Sequence, residues 1–145
     1  MGNSFAWLSV CFTAGAVGAL VSSVLLWMAG VYGWTAALHV AWTPEWTVAW
    51  LYPRLVRGGL WGLLFVPGWL SESFFWRAVA VSLAPTFYEL LVVFPGQSGA
   101  GLWGLELGAM TPAVAFLANI VWGLAAVFWL RLSGEPRRAD YGRLH

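Results

Sequence analysis

No Asp, Glu, Lys or Arg occurs anywhere in residues 1–44. A stretch of that length without a charge leaves little choice of solvent. A water-soluble fold needs ionic side chains on its surface. A helix crossing a bilayer instead needs about 20 consecutive apolar residues to carry it over ~30 Å of hydrocarbon at ~1.5 Å per residue. The rest of the 145-residue chain agrees, with 61% hydrophobic residues and 9% charged ones. The expected fold class is all-α: a polytopic transmembrane bundle of four helices plus one short, Trp-rich interfacial helix, in a single domain.

Several function classes fall away on composition. A net charge of +1 offers no concentrated basic face for nucleic acid. Cys11 is the lone cysteine, so neither a disulfide within the chain nor a Cys-based metal cluster can form. The start, MGNSFAWLSV, lacks the basic region and cleavage site of a removable signal peptide and is expected to open a retained first span. Ala6 fails the myristoylation pattern.

Spans are expected at about 5–30, 53–70, 77–95 and 112–132, with an interfacial segment over 33–52 and a short polar cytoplasmic tail over 133–145. In the first, Ala14, Gly18 and Ser22 share one stripe and Gly15, Ala19 and Ser23 the next, small residues at the spacing that lets helices approach closely in lipid. Trp42, Trp46 and Trp50, with Arg54 and Arg57, are expected to anchor the interface. Thr43 would cap a helix there, with Pro44 at its first position, and the arginines would snorkel to the headgroups at the entrance of span two, where Pro67 would kink the far end. Trp76 and Arg77 are expected to anchor span three, and Thr111-Pro112 to open span four. Arg77, Arg131, Arg137, Arg138 and Arg143 on one side outvote Arg54 and Arg57 on the other, so both termini are expected in the cytoplasm of a bacterial inner membrane.

One carboxylate, Glu89, falls inside an apolar span, about 4–5 Å past its midpoint by the helical rise. An acid at that depth is a functional-site hypothesis by default. Ser82, Pro85 and Thr86 lie on its stripe, and Asn119 falls at the same estimated depth on span four. A polar intramembrane pocket of Glu89, Asn119, Ser82, Thr86 and Tyr88 is therefore expected. No span supplies a counter-ion in this reading, so the carboxyl is expected to be neutral and hydrogen-bonded.

Other motifs carry less. Gly99-Ala100-Gly101-Leu102-Trp103-Gly104 matches GxGxxG literally, but Pro95-Gly96 precedes it where a strand is required and no acid follows at the ribose position. His39 could ligate a haem or chlorin axially, although a single imidazole without a second ligand or attachment motif reads more simply as interfacial, and no cofactor is expected. No nucleophile triad, paired His or Cys, or phosphate loop is present, and no catalysis is expected.

RGGLWGLLF at 57–65, then LLVVFP, GAGLWGLELG and TPAVAFLANIVWGLAAVFWL, resemble a broad group of small bacterial four-span membrane proteins of unknown function. The likeness implies four spans and no catalytic residue. The group carries no obvious acid at the position of Glu89, which would make that residue a private feature of this chain. The function expected is a non-catalytic, accessory or structural subunit that packs against other membrane chains. The alternative is a small homo-oligomeric channel or proton-coupled transporter using Glu89.

Overall fold

The structure, a computed structural model, describes residues 2–68, 70, 73–97, 99 and 101–134, which are mostly helical, joined by turns and irregular segments, without a strand among them. Helix α1 covers Gly2–Val31, a single turn α2 covers Trp34–Ala37, and α3 covers Val48–Gly62 before tightening into a 3-10 turn, Leu63–Phe65. Helix α4, Phe74–Tyr88, runs on without a break into a π-helical segment, Glu89–Gln97. A 3-10 stretch, Leu102–Leu107, leads to α5, Thr111–Leu132. Ser4–Val31, Phe74–Gly96 and Thr111–Leu132 are each long and apolar enough to cross a membrane.

The inward face of α1 is mostly small residues, with Trp7 and Leu26 the large apolar side chains buried beside them, and most of its large apolar residues face out. On α1, Cys11, Ala14, Ala19, Ser22 and Ser23 are buried, whereas Phe5, Leu8, Phe12, Leu20 and Leu25 are exposed. A soluble helix would reverse this pattern. In lipid, where apolar surface gains nothing by leaving the solvent, helices associate through close backbone approach instead. The two small-residue stripes serve two different neighbours. Gly15 meets the Gly58 carbonyl and Gly62 of α3 so closely that a Cβ on it would strike their backbones, while Gly18 lies under Trp122 of α5. The Trp122 indole completes that contact by donating to the Gly15 carbonyl at 2.9 Å.

α3 runs antiparallel to α1, with Gly62 beside Cys11 and Gly58 beside Ala19. α5 packs on the far side of α1 and receives α4, where Gly123 rests on the Ala78 backbone and Arg131 lies over the Phe74 ring at 5.3 Å. α1 and α5 therefore form the centre, flanked by α3 and α4. At one end, Trp7 donates to the Val66 carbonyl at 3.1 Å. At the other, Trp46 sits between Trp27 and Trp50 at centroid distances of 5.6 and 6.0 Å.

Several expectations are corrected. Span two does not run over 53–70: α3 begins at Val48, Val66 and Pro67 already turn, and Pro53, Arg54 and Arg57 lie within the helix, which does not join the set long and apolar enough to span. Its cap is Thr47, whose hydroxyl accepts the Trp50 N–H at 3.2 Å. Thr43 caps nothing and Pro44 is not helical, so Trp42 lies off the Trp46–Trp50 line, edge-on to Phe94 at 5.1 Å. Both sites carry the Thr-before-helix signal, and the side chain that reaches a free N–H is Thr47.

Arg77 is no anchor: it is fully buried, with its Nη2 donating to the Phe65 carbonyl at 3.2 Å and its guanidinium over the Phe65 ring. Trp76 beside it is exposed. The first residue of α5 is Thr111 itself, with Met110 in the capping position. The tail arginines Arg137, Arg138 and Arg143, with Glu135 and Asp140, lie outside the described residues, as do Ser71 and Glu72 of the turn before α4.

Candidate functional site

Glu89 stands where α4 changes pitch. Pro85, one turn earlier, has no N–H to give the Val81 carbonyl, and from Glu89 onward the helix takes the wider π form. Such segments recur at functional sites. The register turns the Glu89 carboxylate toward the middle of the bundle, where its two oxygens take different partners. Oε1 pairs with Arg54 Nη1 at 3.7 Å. Oε2 accepts from Asn119 Nδ2 at 3.0 Å. The Asn119 amide also donates to the Ala115 carbonyl of its own helix at 2.9 Å. On the far side, Arg54 Nε donates to Ser23 Oγ at 2.9 Å, and the guanidinium lies over Trp50 at 5.1 Å.

Ser23, Arg54, Glu89 and Asn119 thus form one polar chain that crosses α1, α3, α4 and α5 at a single level. The two charged side chains are only 15% and 13% exposed, so the pair is shielded from bulk solvent. Counted from the middles of the three long apolar helices, that level lies roughly 4–8 Å toward the Trp46–Trp50 end.

A cavity of about 50 Å³ adjoins the pair, lined by Ser22, Arg57, Trp61, Tyr88 and Trp122 among others. α3 packs on α1 and α4 on α5, so α3 and α4 face each other through side chains: the ion pair, and Trp61 edge-on to Tyr88 at 5.5 Å. Ala19, Gly58 and Asn119 line the same cleft. Its volume suits a small cluster of waters.

Of the residues expected in the pocket, Glu89, Asn119 and Tyr88 line the cavity, and Ser82 and Thr86 do not. Those two hydroxyls donate to carbonyls of their own helix, Ser82 to Val79 and Thr86 to Ser82, each at 2.7 Å. A hydroxyl on a helix can always reach back a turn, and these do.

The expectation that the acid has no counter-ion is overturned by Arg54. The signal was available: one acid inside the apolar spans calls for one base at similar depth, and Arg54 and Arg57 were the two candidates. Starting the helix at Pro53 put them at the headgroups, whereas starting at Val48 sinks Arg54 to the level of Ser23.

His39 is exposed, in a turn with a left-handed backbone at φ 57°. Among the described residues no group of three His, Cys, Asp or Glu side chains is gathered as for a metal. No family model, curated protein or solved structure matches the chain.

Proposed function

We propose that this protein is a non-catalytic, multi-pass membrane protein, an accessory or structural subunit that packs against other membrane chains. The observation that carries the reading is the full engagement of Glu89, with one oxygen on Arg54 and the other on Asn119. An acid held from both sides serves as a clamp between helices rather than as a free proton carrier. A rigid bundle with large apolar side chains turned outward is what a docking subunit presents to lipid and to neighbouring helices. In this reading α3 lies at membrane depth with the other three helices, its arginines neutralised or drawn toward the interface. The arginine count favours both termini in the cytoplasm of a bacterial inner membrane.

Gentle detergent extraction followed by mass measurement of the intact particle tests the proposal. Unlike polypeptides travelling with the chain are expected. A particle containing this chain alone, as monomer or homo-oligomer, overturns it.

The cavity beside Glu89 favours a second reading, a small homo-oligomeric channel or proton-coupled transporter in which the carboxylate exchanges Arg54 for a proton. Reconstituted vesicles should then show a pH-dependent flux that Glu89→Gln abolishes. Flux unchanged by the substitution removes Glu89 from any transport step.

A further inference from the structure

Among the described residues, the cleft between α3 and α4 gathers two arginines against one carboxylate. Arg54 and Arg57 both line it, and among the described residues Glu89 is the one carboxylate that lines it with them. Arg54 takes that carboxylate. Among the described residues no acid pairs with Arg57, whose Nε donates only to the Pro53 carbonyl, at 3.4 Å. This bond has a direction. Pro53 lies one turn nearer the start of α3, so the Arg57 side chain extends along the helix toward the Trp46–Trp50 end, as a long cation does when it stretches from hydrocarbon toward a headgroup.

Trp50, under the Arg54 guanidinium, stands toward that end, an indole of the kind enriched at membrane interfaces, while Trp61 and Tyr88 line the cleft itself. A planar guanidinium presents paired N–H donors that match two oxygens of a phosphate.

We propose that this cleft is a binding site for a phosphate-bearing anion supplied by a lipid: the headgroup of an anionic phospholipid, held by Arg57, with the remaining donors of Arg54 behind it and the acyl chains along α3 and α4. Basic pockets between membrane helices take headgroups in this way. A second depression, about 510 Å³ and lined by Leu64, Leu70, Ala80, Val81 and Ala84, is apolar, and the arginine at its edge, Arg77, donates inward to Phe65. The α3–α4 cleft is where the structure offers charge to an anion. The inference rests on a bilayer setting and not on which chains dock, so failure to find a partner subunit leaves it standing.

The test uses the full chain in detergent, with lipid retention read by native mass spectrometry and the unfolding midpoint read by heating. Three additions are compared: phosphatidylglycerol, phosphatidylcholine and inorganic phosphate. Phosphatidylglycerol should be retained and should raise the midpoint, and the other two should not. Arg57→Gln should keep the midpoint seen in phosphatidylcholine and weaken the phosphatidylglycerol response by roughly tenfold or more, the loss of one charge-assisted contact. If Arg57→Gln does not fold, Arg57→Lys supplies the reading: it keeps the charge, loses the fork, and should bind more weakly than the parent. Equal retention of both phospholipids, or a phosphatidylglycerol response undiminished in the variant that folds, overturns the proposal. An equal midpoint rise from inorganic phosphate assigns the site to a soluble anion and overturns the lipid assignment.

Discussion

Arg54 and Glu89 are each committed by position before they are committed by charge. Each is carried by a helix whose other contacts are already made, so removing one partner leaves the other's charge without the group it now pairs with. Breaking a shielded pair from one side generally costs about 3–5 kcal/mol, because an uncompensated charge remains. Arg54→Gln or Glu89→Gln alone should therefore lower thermal stability in detergent markedly. The double substitution should recover much of the loss, since the two introduced amides can share a neutral hydrogen bond. Unfolding midpoints of the three variants check this, and a double variant as unstable as the sum of the singles would show that the two side chains do not act together. Asn119 belongs to the same set. Its amide bridges the carboxylate and the Ala115 carbonyl, so Asn119→Leu should remove both bonds and act in the same direction as Glu89→Gln.

At the scale of helices, stability depends on glycine where two backbones meet. The α1–α3 contact has no side chain between Gly15 and the Gly58–Gly62 backbone. Any substitution there forces the helices apart and with them the reach of Arg54 to Ser23. Gly58→Leu should destabilise by about 3 kcal/mol or more, the upper range for overpacking. Gly96→Ala, at a glycine with open space around its Cβ position, should change stability by less than ~0.5 kcal/mol. Heating the two variants side by side in one detergent distinguishes a close-approach glycine from one that membrane composition merely tolerates. The π-helical segment belongs to this scale as well. Were Glu89–Gln97 to continue as α-helix, the residues after Glu89 would be rotated relative to α5, and Leu90 and Phe94, which now pack with Ala115, would leave that cluster.

For the whole molecule, the outward-facing large side chains define the solvent. Leu20, Leu83 and Leu117 are 41%, 40% and 59% exposed and lie near the middles of their helices. Spin labels placed at these positions in reconstituted bilayers should be relaxed by dissolved oxygen and shielded from a water-soluble nickel chelate. Labels at Ser4 and Ser133 should be open to the chelate from a common side, because α1, α3, α4 and α5 alternate in direction and Trp7 and Leu130 share one end of the core. Nickel accessibility at Leu83 or Leu117 would mean water rather than lipid surrounds the bundle.

The helical class and the three helices long and apolar enough to span a membrane were written into the order of residues, because a charge-free run of spanning length has few solutions. So was the pair of small-residue stripes on α1, since a four-residue repeat marks one helix face whatever lies against it. Which neighbour each stripe meets was not legible: Gly15 takes α3 and Gly18 takes α5 only because the chain folds back twice. The partner of Glu89 was hidden for the same reason. Arg54 and Glu89 are far apart along the chain, and their meeting depends on a helix that starts at Val48 rather than Pro53, more than one turn earlier. Local spacing fixes what shares a face within one helix, whereas depth and pairing between helices come from where each helix begins and which backbones can touch.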